Sequence, residues 1–97
     1  MSVSEVCERE FEVRGPLGLH ARPAGQFVVL ASRFRSEISV GRGSEWVDGR
    51  SVLSLLSLAA ARGTWLRIRA VGEDASAAVA ALGQHLEQAG ASERDPG

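Results

Sequence analysis

The chain lacks a second cysteine. Cys7 stands alone, so no internal disulfide can form, and the cytoplasm is the expected compartment. It also lacks an excess of positive charge. With 11 basic and 12 acidic residues its formal net charge is -1, which gives no overall basic field for nucleic acid or anionic lipid. No apolar run is long enough to span a bilayer, so membrane insertion is not expected. The opening MSVSEVCEREFEV has neither the basic nor the apolar region of a signal peptide. Two separated histidines and one cysteine do not make a metal-ligand cluster. No Gly-Lys-Ser/Thr phosphate loop is present, nor a carboxylate dyad to run a turnover unaided, so neither metal nor other cofactor is expected.

What is present fits a soluble globular fold: hydrophobic residues make up 44% and charged residues 24% of 97 positions. That length suits one domain, expected over residues 1–91, with residues 92–97 (SERDPG) as a flexible C-terminal tail.

The periodicity changes several times along the chain. Cys7, Arg9, Phe11 and Val13 alternate with Glu8, Glu10, Glu12 and Arg14, the pattern of a half-buried strand. Arg9 is the misfit on the inner side, expected to pack its stem and keep its head in water. From about 21 to 33 the spacing becomes helical, with Ala24, Phe27, Val28, Ala31 and Phe34 on one face. Gly25 interrupts that helix at a cost of about 1 kcal/mol relative to alanine. Residues 36–40 and 45–48 predict a hairpin around the turn cluster Gly41-Arg-Gly-Ser44.

Ser51 then opens a short apolar helix, VLSLLSLAAAR, which Gly63 is expected to close. It is apolar nearly all round, so part of its surface is expected to meet a partner. Residues 64–71 alternate again, with Leu66, Ile68 and Ala70 inward and Trp65, Arg67 and Arg69 outward. Asp74 predicts an N-cap for a last helix that buries Ala75, Ala78, Val79, Leu82 and Leu86. The order βαββαβα predicts an α+β fold, with helices laid over one face of an antiparallel sheet. Trp65 and the arginines would line the other face.

The segment Gly15-Pro-Leu-Gly-Leu-His-Ala-Arg-Pro-Ala-Gly25 holds the candidate chemistry. With His20 as N-cap, the first amides of the helix carry unsatisfied N–H groups and partial positive charge, which favour a phosphate. Arg22 adds a permanent cation whose planar donors match phosphate oxygens. A neutral imidazole beside such groups suits reversible phosphoryl transfer, in which positioning and charge stabilisation do most of the work. The plainer alternative is that His20 only caps a helix. His85, far from this motif, is expected to be solvated or partly packed.

Leu19-His20-Ala21-Arg22-Pro23-Ala24 resembles the active-site signature of the HPr family, the histidine-containing phosphocarriers of bacterial phosphoenolpyruvate-dependent phosphotransferase systems. Gly49-Arg50-Ser51-Val52-Leu53, with Leu58 and Gly63, resembles the family's regulatory serine segment, and Gly72-Glu73-Asp74-Ala75 its turn into the last helix. The resemblance implies an HPr-like open-faced β-sandwich, a four-stranded antiparallel sheet with three helices on one face. It implies that His20 accepts a phosphoryl group on Nδ1 from phosphorylated enzyme I and passes it to an EIIA-type domain. Arg22 would steady that group, with the backbone of Ala21 and Arg22 binding it. Leu19, Ala24, Phe27, Val52, Leu53 and Leu56 would form the docking face. Ser51 would be a regulatory site for an HPr kinase/phosphorylase, and the protein a monomer.

Two further readings stay open: a nitrogen-type regulatory branch without sugar transport, and a non-catalytic regulatory binding module acting through the Ser51 helix. The chain departs from the common family pattern at Gly25, Trp46 and Trp65 and in a longer N-terminus.

Overall fold

Each change of period marks an element in the computed structural model, which describes residues 5–93. The order is β1 (Glu5–Glu12), α1 (Ala21–Ala31), β2 (Glu37–Arg42), β3 (Glu45–Asp48), α2 (Val52–Ser57), β4 (Trp65–Gly72) and α3 (Ala75–Glu93). The sheet runs β1-β4-β2-β3 with every neighbouring pair antiparallel. The central strand β4 pairs Phe11 with Leu66 on one side and Val40 with Ile68 on the other.

The inward residues of β4 behave as their alternation predicts: Leu66, Ile68 and Ala70 have no solvent exposure. They meet Phe27 of α1, Leu55 of α2 and Val79 and Leu82 of α3 in one core. Burying each larger side chain contributes about 1.5–3 kcal/mol before entropy is counted. Arg9 keeps an exposed position, with its guanidinium carbon 5.1 Å from the Phe11 ring centroid. Gly83 lets α3 lie close over β1, because a Cβ there would collide with the Phe11 ring.

Two polar ties fix the connections. Asp74 accepts the backbone N–H groups of Arg35 and Ser36 at 2.9 and 3.0 Å, and the Ser36 hydroxyl as well. Arg50 Nη2 donates to the carbonyls of Ala31, at the end of α1, and of Phe34 and Ser36 in the connection to β2.

The structure corrects several expected bounds: β2 runs on through Gly41 and Arg42, which were expected in the turn cluster, and α1 ends at Ala31 rather than about 33. α2 stops at Ser57 with Leu58 as C-cap, six positions before Gly63 would have closed it. The chain turns at Ala59, which takes φ +50°, and Arg42 Nη1 donates to the carbonyls of Leu58 and Ala59 at 2.7 and 3.0 Å. Ser92 and Glu93, expected in the tail, continue α3. Residues 1–4 and 94–97 lie outside the described residues.

Candidate functional site

The loop before His20 is fixed through main-chain contacts. Gly18 donates to the Gly15 carbonyl at 3.0 Å and takes φ +71°. Any side chain at Gly18 would strike the backbone of Ala60 and Ala61. The Leu19 N–H donates to the Ala60 carbonyl at 2.8 Å, and the Leu19 side chain is buried. His20 follows as N-cap with extended backbone, φ -88° and ψ -171°, and its carbonyl accepts the Ala24 N–H at 3.0 Å. Its ring is half-exposed and is not the side-chain cap of α1.

Ala21 and Arg22 are exposed in the first turn of α1, where N–H groups have no intrahelical acceptor. That turn carries no acidic residue. Pro23 removes one orphan donor and is buried. The arrangement sets a half-exposed imidazole, first-turn amides and an exposed arginine within three consecutive residues.

The positions expected to dock partners divide in two. Leu19, Ala24 and Phe27 are at most 5% exposed, so their side chains belong to the core and offer no contact surface. Ala24 and Phe27 lie on the buried face of α1, and Leu19 is buried in the loop before it. Val52 and Leu56 are half-buried, while Leu53 is 80% exposed. Leu17, three positions before His20, is 73% exposed and adds an apolar side chain that the sequence reading passed over. Its only sequence signal was a leucine between two loop residues with no periodic partner.

Ser51 is the N-cap of α2, its Oγ accepting the Ser54 N–H at 3.2 Å. It does not share the His20 end of α1. Neighbouring Arg50 reaches the far end of that helix, whereas the Ala60 carbonyl beyond α2 holds Leu19 at the near end. α1 and α2 thus run in opposite senses, with the two N-caps at opposite ends of the pair.

His85 is partly packed, as expected, but its polar partner lies in the motif itself. It is half-buried on α3, with Nε2 3.0 Å from the Pro23 carbonyl oxygen and its ring centroid 6.3 Å from that of Phe27. A carbonyl oxygen only accepts, so Nε2 carries the proton. Gly25 makes no close packing contact: a Cβ there would meet nothing within 4 Å. It lies instead in a shallow groove along the outer side of α1 between Arg22 and Arg33.

The family model described as the PTS HPr component phosphorylation site matches residues 7–88. The chain belongs to the HPr family. It is 43% identical to phosphocarrier protein HPr of Pseudomonas putida over 75 residues, covering 76% of this chain and 83% of that protein. It is 36% identical to the HPr-like protein Crh of Bacillus subtilis over 83 residues, 86% of this chain and 98% of Crh. An HPr structure from Thermoanaerobacter tengcongensis, HPr-C-His, superposes with a TM-score of 0.82 at 34% identity, over 88% of this chain and 96% of that one. The HPr-like sandwich, with four antiparallel strands, three helices and βαββαβα order, is therefore the fold of this chain.

The two tryptophans that depart from the HPr pattern lie on the open sheet face. Trp46 folds over Gly41, and the Arg67 guanidinium stacks on it at 4.5 Å while donating to the Gly43 carbonyl. Trp65 is 55% exposed. Among the described residues no group of three or more His, Cys, Asp or Glu could hold a metal ion, and no helix is long and apolar enough to cross a membrane.

Proposed function

We propose that this HPr-family protein is a phosphocarrier in which His20 accepts a phosphoryl group from phosphorylated enzyme I and donates it to an EIIA-type domain. The observation that carries this reading is the placement of His20: half-exposed, at the N-cap of α1, with no acidic residue in the first turn. The neutral ring attacks phosphorus through Nδ1. The new P–N bond forms as the bond from phosphorus to its donor breaks. The first-turn amides of Ala21 and Arg22 and the Arg22 guanidinium stabilise the oxygens that carry the charge. The transfer reverses when an EIIA side chain attacks, so the protein ends unchanged and serves as a covalent relay. It works as a monomer in the cytoplasm, in sugar uptake or its regulation or in a nitrogen-type branch.

Leu53 and Leu17, with half-buried Val52 and Leu56, supply the apolar docking surface. Phosphorylation of Ser51 by an HPr kinase/phosphorylase would put about two negative charges at the start of α2 and repel acidic partners.

Incubation with phosphoenolpyruvate and a cognate enzyme I tests the relay. Acid-labile phosphate on wild type and none on His20→Ala is the expected result. An active enzyme I that leaves wild type unlabelled overturns it. A regulatory module acting through the Ser51 helix is the second reading, favoured by the exposure of Leu53. Partner capture that is unchanged in His20→Ala would select it.

A further inference from the structure

The chain's two histidines sit at the ends of one series of hydrogen-bonded peptide groups. His85 Nε2 donates to the Pro23 carbonyl at 3.0 Å. That carbonyl shares its peptide group with the Ala24 N–H, which donates to the His20 carbonyl at 3.0 Å. The His20 carbonyl shares its peptide group with the Ala21 N–H, a first-turn donor with no intrahelical acceptor. Resonance couples the two ends of each peptide, so a donor at the oxygen draws electron density from the nitrogen and makes its N–H a stronger donor. Three donor positions in line therefore lead from the His85 ring to the mouth of the phosphate cradle.

We propose that His85 is a positioning residue for the phosphoryl group on His20: its Nε2–H holds and polarises the Pro23–Ala24 and His20–Ala21 peptides, and so strengthens the Ala21 N–H as a donor to phosphoryl oxygen. The inference rests on the phosphocarrier reading of His20. Geometry supports it from both sides. The ring of His85 is held against Phe27, which has no solvent exposure, so the donor is fixed. The Pro23–Ala24 peptide reaches His20 because the Ala24 N–H makes the i→i−4 bond to the His20 carbonyl. In this proposal His85 makes no direct contact with the phosphoryl group. It acts through the backbone alone.

Two substitutions separate a polarising role from a mere tie between α3 and α1. His85→Leu keeps apolar bulk against Phe27 and removes the donor. His85→Gln places an amide N–H at nearly the reach of Nε2. Wild type and variant are mixed in equal amounts with catalytic enzyme I and limiting phosphoenolpyruvate, and the phosphoryl group is left to distribute between them. Strengthening one charge-assisted hydrogen bond by about 10–30% favours wild type over His85→Leu about twofold, with His85→Gln close to even.

The second readout needs no phosphate. In unphosphorylated protein, the amide protons of Ala24 and Ala21 should move upfield together in His85→Leu and return in His85→Gln. Even phosphoryl distribution with His85→Leu overturns the proposal, as do unmoved Ala21 and Ala24 amides. His85→Met replaces the leucine variant if that one does not fold. If neither protein takes phosphate from an active enzyme I, the carrier reading fails, and the amide shifts still decide whether the backbone series transmits.

Discussion

The Asp74 carboxylate accepts the Ser36 hydroxyl at 2.6 Å across 38 positions of sequence, joining the start of α3 to the start of β2. The same group takes the N–H of Arg35 and of Ser36, so one side chain holds a connection whose backbone would otherwise lack acceptors. Foremost the Ser36 hydroxyl, and then the Arg35 N–H, hold the Asp74 carboxyl below its ordinary 3.8, against an opposing effect of partial burial.

A depressed carboxylate stabilises the fold fully above its unfolded value, and that contribution is lost as pH falls through the folded value. Asp74→Ala should therefore melt below wild type at neutral pH. The gap should persist down to about pH 3.8 and then close as pH falls further. Thermal unfolding across pH 2 to 7 checks this, and a gap of constant size down to the lowest pH would refute it.

Ala59 adopts φ +50°, a left-handed conformation that disfavours a side chain by about 1–2 kcal/mol. Glycine relieves that strain and costs about 0.5–1 kcal/mol in chain entropy. Ala59→Gly is thus expected to stabilise the protein by about 0.5–1 kcal/mol, read as a higher denaturant midpoint with an unchanged slope.

Gly25 gives the converse case. A methyl group there meets open space, and the backbone is helical. Gly25→Ala should raise stability by about 1 kcal/mol through helix propensity alone. A fall in the denaturant midpoint would show that the position carries a constraint beyond the helix.

Leu53 and Leu55 stand two positions apart with opposite surroundings, 80% and 0% exposed. Leu55→Ala opens the core and should cost about 2–5 kcal/mol. Leu53→Ala should leave stability within about 0.5 kcal/mol of wild type. At a docking contact it should weaken phosphoryl transfer to an EIIA-type domain about fivefold or more, seen as a raised KM. An unchanged KM removes Leu53 from the docking face.

Arg22 is exposed in the first turn of α1, so its removal should leave the fold intact. Arg22→Ala should reduce kcat/KM for phosphorylation of His20 by about 10- to 100-fold, corresponding to a charge-assisted hydrogen bond of about 1.5–3 kcal/mol. Arg22→Lys should recover part of this, because the charge returns without the planar fork.

Local periodicity made much of the fold legible. Leu66, Ile68 and Ala70 alternate in sequence and are all fully buried, and Ala75, Ala78, Val79, Leu82 and Leu86 all face the core as their helical spacing requires. Asp74 was recognisable as the start of a helix from its residue type, but its partners Arg35 and Ser36 were not, since nothing local connects them. The early end of α2 was hidden for the same reason. The apolar run continues past Ser57, while the backbone turns so that Arg42 meets Leu58 and Ala59 and the Ala60 carbonyl meets Leu19. At the site, the placement of His20 before a helix was readable from its loop and proline. The burial of Ala24 and Phe27 was readable from their place on the apolar face of α1, whereas the family likeness marked them, with Leu19, as contacts. His85 gave no local sign of its Pro23 partner, which lies 62 positions away.

Main-chain contacts hold the loop that carries His20: the Gly18 turn, the Leu19 amide on Ala60 and the His20 carbonyl under Ala24. Peptide groups are common to every residue type, so these contacts survive substitutions on the surrounding rim. Such a scaffold can exchange its exposed side chains, and with them its choice of neighbours, without having to rebuild the loop that carries His20.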